Sequence, residues 1–104
     1  MNLVRTGRLR KHQWLGAQLA SAADSSCANI AEGFSRFNPK DFARFATIAK
    51  ASLTEIIEHM KSANQLGIVT AEEYNEISSL TRRARGATTR LILYLRNASP
   101  PDKR

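Results

Sequence analysis

Cysteine occurs once, at Cys27, so the chain cannot close an internal disulfide and nothing in it calls for an oxidising compartment. Three prolines and five glycines are too few for a loop-rich or low-complexity chain. No period-two alternation marks a β-strand, and no internal repeat is present. No run approaches the roughly 20 apolar residues of a membrane-spanning helix. The start has the outline of a signal peptide, with Arg5, Arg8, Arg10 and Lys11 ahead of Trp14 to Ala23, but Gln18, Ser21 and Asp24 break the apolar stretch. The expectation is a soluble, cytoplasmic chain with no membrane partner.

Negative charge is also scarce. Nine acidic residues face sixteen Lys and Arg, a net charge of +7 that draws the molecule toward polyanions. After Glu76 the sole carboxylate side chain is Asp102, while Arg82, Arg83, Arg85, Arg90, Arg96, Lys103 and Arg104 follow. The 42% hydrophobic content excludes a disordered chain. A length of 104 residues allows one domain with a thin core, which a partner surface would support.

Three helical segments carry that apolar content. Asn38 caps the second, Pro39 suits its first position, Asp41 favours its first turn, and Gly67 ends it. Between them Phe42, Ala46, Ala49, Leu53, Ile56, Met60 and Ala63 form one stripe at helical spacing. Thr70 and Glu73 make a capping box for the third, whose stripe is Ile77, Leu80, Ala84, Ala87, Leu91, Tyr94 and Ala98 before Pro100 and Pro101. The first helix presents Gly16, Ala20, Ala23, Cys27, Ile30 and Phe34, mostly small residues that let backbones approach closely. Short connections favour antiparallel neighbours. The fold class expected is all-α: an up-and-down antiparallel bundle of three long helices. A basic stretch spans residues 1–13, the helical domain 14–98 and a C-terminal tail 99–104.

Two features lie off the stripes. Phe45, Ile48, Ile57, Ile92 and Leu95 widen the apolar surface, as a broad core arc or as a subunit interface. On the third helix Arg82, Arg83, Arg85, Arg90 and Arg96 fall opposite the stripe at about 100° per residue. That basic face, with Arg5, Arg8, Arg10 and Lys11, suits phosphate. No aromatic residues interleave with the arginines and no base-reading motif is present, so the expected contact is with the backbone of structured RNA, at low sequence specificity.

The stretch Asn29-Ile30-Ala31-Glu32-Gly33 precedes Phe42-Ala43-Arg44-Phe45, Ile48-Ala49, Ser52-Leu53 and Glu55, with Leu66-Gly67 and Glu72-Glu73-Tyr74 further on. In this order the elements resemble the four-helix bundle family encoded in 23S rRNA intervening sequences, over roughly Gln18 to Arg96. The resemblance implies a helical bundle that assembles as a homo-oligomer, a ring-like homopentamer in related proteins. The family is similar in turn to the accessory variability protein of diversity-generating retroelements, a basic bundle that binds nucleic acid and a reverse transcriptase. The chain departs from the pattern twice. Only the short basic stretch stands where the family has a whole first helix, so that helix is curtailed. Where the family tends to have paired arginines and Ser-Ile-Pro, the chain has Ala20-Ser21 and Ser25-Ser26-Cys27.

Catalytic and metal readings find little support. Asn29 and Glu32 are expected to bond to backbone or to a base such as Arg44, fixing how helices meet, with Gly33, Ser52 and Glu55 in the same structural role. His12 and His59 have no ligand spacing around them, so neither metal nor cofactor is expected. Ser25, Ser26 and Cys27 lack a base placed by any motif, and Cys27 reads as a small core residue. The functional expectation is a non-enzymatic oligomeric bundle that binds nucleic acid through its basic face. The alternative is a protein-interaction scaffold or accessory subunit without nucleic-acid contact.

Overall fold

The computed structural model describes residues 3–99, with side chains from Arg10 onward. Among these residues there are three helices and no strand: α1 (Leu3–Ser35), α2 (Pro39–Gln65) and α3 (Ala71–Arg96). The basic stretch expected to precede the first helix is its beginning, because α1 runs unbroken from Leu3. The four-helix count implied by the resemblance is not met by the described residues. The expected tail lies, from Pro100 on, outside them.

The ends of α2 and α3 form as their sequences require. Asn38 Oδ1 accepts the amides of Lys40 (2.9 Å) and Asp41 (3.3 Å), two of the donors a helix start leaves free. At the other end Gly67 takes φ 71°, so that its amide reaches Asn64 O (3.2 Å) and the Ile68 amide reaches Ala63 O (2.9 Å). The capping box of α3 is complete. The Glu73 amide donates to Thr70 Oγ1 (3.0 Å), and the Thr70 amide donates to Glu73 Oε1 (2.8 Å). The Thr70 backbone and hydroxyl contacts hold the Glu73 carboxyl below its ordinary pKa, and the charge of nearby His12 acts in the same direction.

α2 is the hub. It packs against α1 and α3, whereas α1 and α3 come no closer than 8 Å between Cα atoms. The α1–α2 contacts run in antiparallel order: Trp14 meets His59 edge-on (ring centroids 5.7 Å), Ser25 and Ser52 share a hydrogen bond (2.9 Å), and Gly33 sits against Phe42 and Phe45. Small residues set these approaches. Ala22, Ser26 and Gly33 of α1 and Ala43, Ala46, Ala49 and Ser52 of α2 are all buried. A Cβ at Gly33 would lie 2.7 Å from Phe42 Cδ1 and 2.9 Å from Phe45 Cβ. On α3 the buried residues are Ser78, Thr81, Thr88, Ile92 and Leu95. The Ser78 hydroxyl is fully enclosed there without a hydrogen-bond partner among the described residues.

This packing corrects the expected bundle interior. The α3 stripe is not the buried face: Ile77, Leu80, Ala84, Ala87 and Tyr94 are exposed, and the face against α2 is turned by about 100° from them. On α1, Gly16, Ala20, Cys27 and Phe34 are likewise exposed, so Cys27 is not a core residue. Of the residues expected to form either a broad core arc or a subunit interface, Ile57, Ile92 and Leu95 are buried within the chain, as a core arc requires, whereas Ile48 is exposed and Phe45 half-buried. One copy is an open trough with α2 as its floor and α1 and α3 as its sides. Its Cα atoms span 67 × 20 × 13 Å with a radius of gyration of 17.4 Å, against about 13 Å for a compact chain of this length. Met60 is the one large apolar side chain fully withdrawn from solvent among the described residues.

Two consequences follow for stability. Gly33→Ala forces the α1–α2 contact apart and should lower stability by about 1–3 kcal/mol. Gly16→Ala, where an added Cβ meets nothing within 4 Å, should raise it by about 0.5–1 kcal/mol. Denaturant unfolding of the two variants measures both. The second consequence concerns pH. Because the folded state depresses the Glu73 pKa, its contribution is complete above the ordinary glutamate value of about 4.3 and disappears as the pH falls through the depressed one. Melting temperatures recorded between about pH 6 and pH 3 should therefore fall less in Glu73→Gln than in the parent.

Candidate nucleic-acid interface

The arginines of α3 do not act as one face. Arg82, Arg83 and Arg90 are exposed and, with Ser79, Gly86 and Ala87, line a surface hollow of about 610 Å³. Three guanidinium groups border that hollow and no carboxylate does. Helical spacing brings them together, since Arg82 and Arg83 lie four and three positions before Gly86 and Arg90 four after it. Gly86 leaves the space between them open: the nearest atom to an added Cβ is Arg90 Nη1, at 3.6 Å. Neither the Glu32–Arg36 ion pair nor the Glu55–His59 contact involves these arginines.

Arg85 is a correction to the expected basic face. It is half-buried and turned toward α2, where its guanidinium donates to Thr54 Oγ1 at 3.3 Å. The cause is the rotation of α3 described above. Packing through Ser78, Thr81 and Thr88 places Arg85 within the contact, although it lies opposite the apolar stripe in sequence.

Arg96 stands apart from both, in the last turn of α3. There it lines a second hollow of about 380 Å³ with Lys40, Ala43, Arg44 and Thr47 of α2. The antiparallel packing of α2 and α3 creates this group by laying the start of one helix beside the end of the other. No local motif ties Lys40 to Arg96, because α2 supplies it from 56 positions away; the short α2–α3 connection is the one signal in the sequence that brings them together. Arg10 and Lys11 are exposed near the opposite end of the molecule, where His12 Nε2 bonds with Ile68 O at 2.6 Å. The side chains of Arg5 and Arg8 lie outside the described residues.

The expected structural residues divide similarly. Asn29 Nδ2 donates to Ser25 O (2.8 Å) and Ser25 Oγ (3.3 Å), and Ser25 continues to Ser52, so these polar groups link α1 to α2. Gly33 completes that contact. Glu32 does not reach Arg44 but pairs with Arg36 one turn on, at 2.9 Å and in solvent. Arg44 instead stacks over Phe45, 4.5 Å from the ring centroid, with Arg36 near the same ring at 5.1 Å. Glu55 meets His59 at 3.4 Å on the exposed side of α2. Among the described residues no group of three His, Cys, Asp or Glu side chains is placed to hold a metal ion, and no helix is long and apolar enough to cross a membrane.

Fold and surface together define an all-helical protein with an uncharged apolar trough on one side and arginine clusters elsewhere on its surface. The family model described as 23S rRNA-intervening sequence protein matches residues 1–89, and the chain belongs to that family. No curated protein and no solved structure matches it.

The split among the arginines has a measurable consequence. Arg85→Ala removes a half-buried donor and should lower stability by about 0.5–1.5 kcal/mol. Arg82→Ala and Arg90→Ala, on the open surface, should stay within about 0.5 kcal/mol of the parent in the same unfolding measurement.

Proposed function

We propose that the protein is a non-enzymatic, homo-oligomeric helical protein of the cytoplasm that binds the phosphate backbone of structured RNA through Arg82, Arg83 and Arg90. The observation that carries this reading is the convergence of three exposed guanidiniums on one hollow with no carboxylate at its border. Arginine suits the task because its planar fork grips phosphate oxygens in pairs. Arg96, with Lys40 and Arg44, extends the contact along α3. Arg10 and Lys11 add charge at the far end. The family is named for a ribosomal RNA intervening sequence, which is consistent with an association with RNA. The up-and-down bundle of the family is, in this reading, completed only in the assembled form.

A second reading, a protein-binding scaffold without nucleic-acid contact, draws on the apolar trough. The two readings use different surfaces and respond to salt in opposite ways. Backbone-led RNA binding should weaken steeply as salt rises from about 50 to 200 mM, because phosphate contacts release counterions. The triple change Arg82→Ala, Arg83→Ala and Arg90→Ala should weaken binding to unrelated structured RNAs alike and reduce the slope of log K against log salt by about 2–3. Filter binding or fluorescence anisotropy across a salt series measures both. Salt-independent binding, or binding unchanged in the triple variant, contradicts the reading.

A further inference from the structure

The end of the protein where α1 stops, α2 starts and α3 stops carries aromatic side chains that phosphate binding through the arginines does not use. Phe34 (69% exposed), Phe37 (77%) and Tyr94 (70%) come from the last turn of α1, the α1–α2 connection and the last turn of α3. With Pro39, Phe42 and Leu95 they border a hollow of about 290 Å³. Phe42 meets Phe34 edge-on, with ring centroids 6.2 Å apart, so Phe34 is supported although most of it faces solvent. Phe37 stands in the left-handed backbone region, φ 55°, where a bulky residue is an outlier and glycine or asparagine is usual after a helix. A ring is thus held in solvent at a position that neither apolar burial nor backbone preference favours. Such outliers cluster at ligand-binding sites.

Cations stand beside these rings. The hollow of Lys40, Arg44 and Arg96 adjoins that of the rings along the α2–α3 contact: Pro39, Phe42 and Leu95 line one, and the next residues in sequence, Lys40, Ala43 and Arg96, line the other. Arg36, beside Phe37, lies 5.1 Å from the centroid of the Phe45 ring that Arg44 also covers, which adds it to the group. Two carboxylates share this end. Glu32 is paired with Arg36 at 2.9 Å, and Asp41 sits half-buried in the first turn of α2. The four cations outnumber them. Exposed rings beside a cationic track are the combination that takes up unpaired nucleotides, because each base offers a π-face to a ring while the phosphates follow the charges. Bases inside a duplex are stacked on one another and offer no such face.

We infer that this end is a stacking site for unpaired nucleotides of RNA, with Phe37 and Tyr94 as its platforms and Lys40, Arg44 and Arg96 on the adjoining phosphates. The inference rests on the RNA-binding reading above and names the part of the RNA taken here: a loop, bulge or strand end next to the segment gripped by Arg82, Arg83 and Arg90. Arg96 follows Arg90 by six residues, about 9 Å along α3, so a strand leaving a paired segment at the first cluster reaches the second. Stacking tolerates every base, so the site selects unpaired RNA and not a particular sequence.

The test is fluorescence anisotropy of the full chain with three labelled probes of equal phosphate number: a single-stranded oligouridylate, a blunt RNA duplex, and a strand whose sugars carry no bases. Oligouridylate should bind at least about fivefold more tightly than the abasic strand at the same salt. Phe37→Ala and Tyr94→Ala should each weaken oligouridylate binding at least about fivefold and leave the other two probes within about twofold of the parent. Neither change removes a charge, so the slope of log K against log salt should stay the same. Tyr94→Phe, which keeps the ring, should bind like the parent. These residues are exposed, and circular dichroism checks that the helices persist; Phe37→Gly, which suits the left-handed backbone, supplies a second ring-free variant. Oligouridylate binding unchanged in the ring-free variants, or an equal loss for all three probes, overturns the inference. If the duplex still binds in a salt-dependent way, the phosphate reading survives that result, whereas no binding of any probe removes both. A changed mass in sedimentation with unchanged nucleotide binding would assign the rings to a protein contact and likewise overturn it.

Discussion

Close approach of α2 to its two neighbours through small side chains is the constraint on which the rest of the structure depends. Gly33 lets α1 lie against Phe42 and Phe45, and Ala49 keeps the floor of the trough free of bulk. Ser78, Thr81 and Thr88 do the corresponding work on α3. A helix pair joined through small residues gains close packing but little buried apolar area. Several of the larger side chains, among them Phe34, Leu80 and Tyr94, are therefore left exposed. Phe34, Phe42, Leu53 and Ala84 line one hollow shared by all three helices, the trough.

That arrangement separates two kinds of chemistry. Uncharged apolar residues from all three helices line the trough, whereas Arg82, Arg83 and Arg90 gather on another part of α3. Arg85, half-buried against Thr54, belongs to neither and joins α3 to α2. The same helix thus serves three neighbours at once: the hub helix, the solvent that carries phosphate ligands, and whatever fills the trough.

The elements themselves were legible because their punctuation is local. Asn38, Pro39, Gly67, Thr70 and Glu73 each act within a few residues, and the helix ends fall where they indicate. The apolar stripes were legible too, but their meaning was not. Periodicity states which residues share a face of a helix, without stating that the face is turned toward the same chain. On α3 the intrachain contact uses Ser78, Thr81 and Thr88, which look polar in sequence, so the stripe of Ile77, Leu80 and Tyr94 points to an interior that these residues do not occupy. The same rotation hid the inward position of Arg85. The cluster of Lys40, Arg44 and Arg96 was hidden for a different reason, since it arises from antiparallel neighbours and from no motif.

Because the backbones of α1 and α3 approach α2 but not each other, cohesion within one copy comes mainly from neighbouring helices, as in repeat proteins. Each outer helix has one close helix neighbour, and the central helix two. Partial opening then has a direction: α1 or α3 swings away alone, leaving the remaining pair intact. The amide protons of α2, covered from both sides, are the last to meet solvent, and those of the outer helices trade with water at rates set by two independent hinges, the residues 36–38 and 66–70.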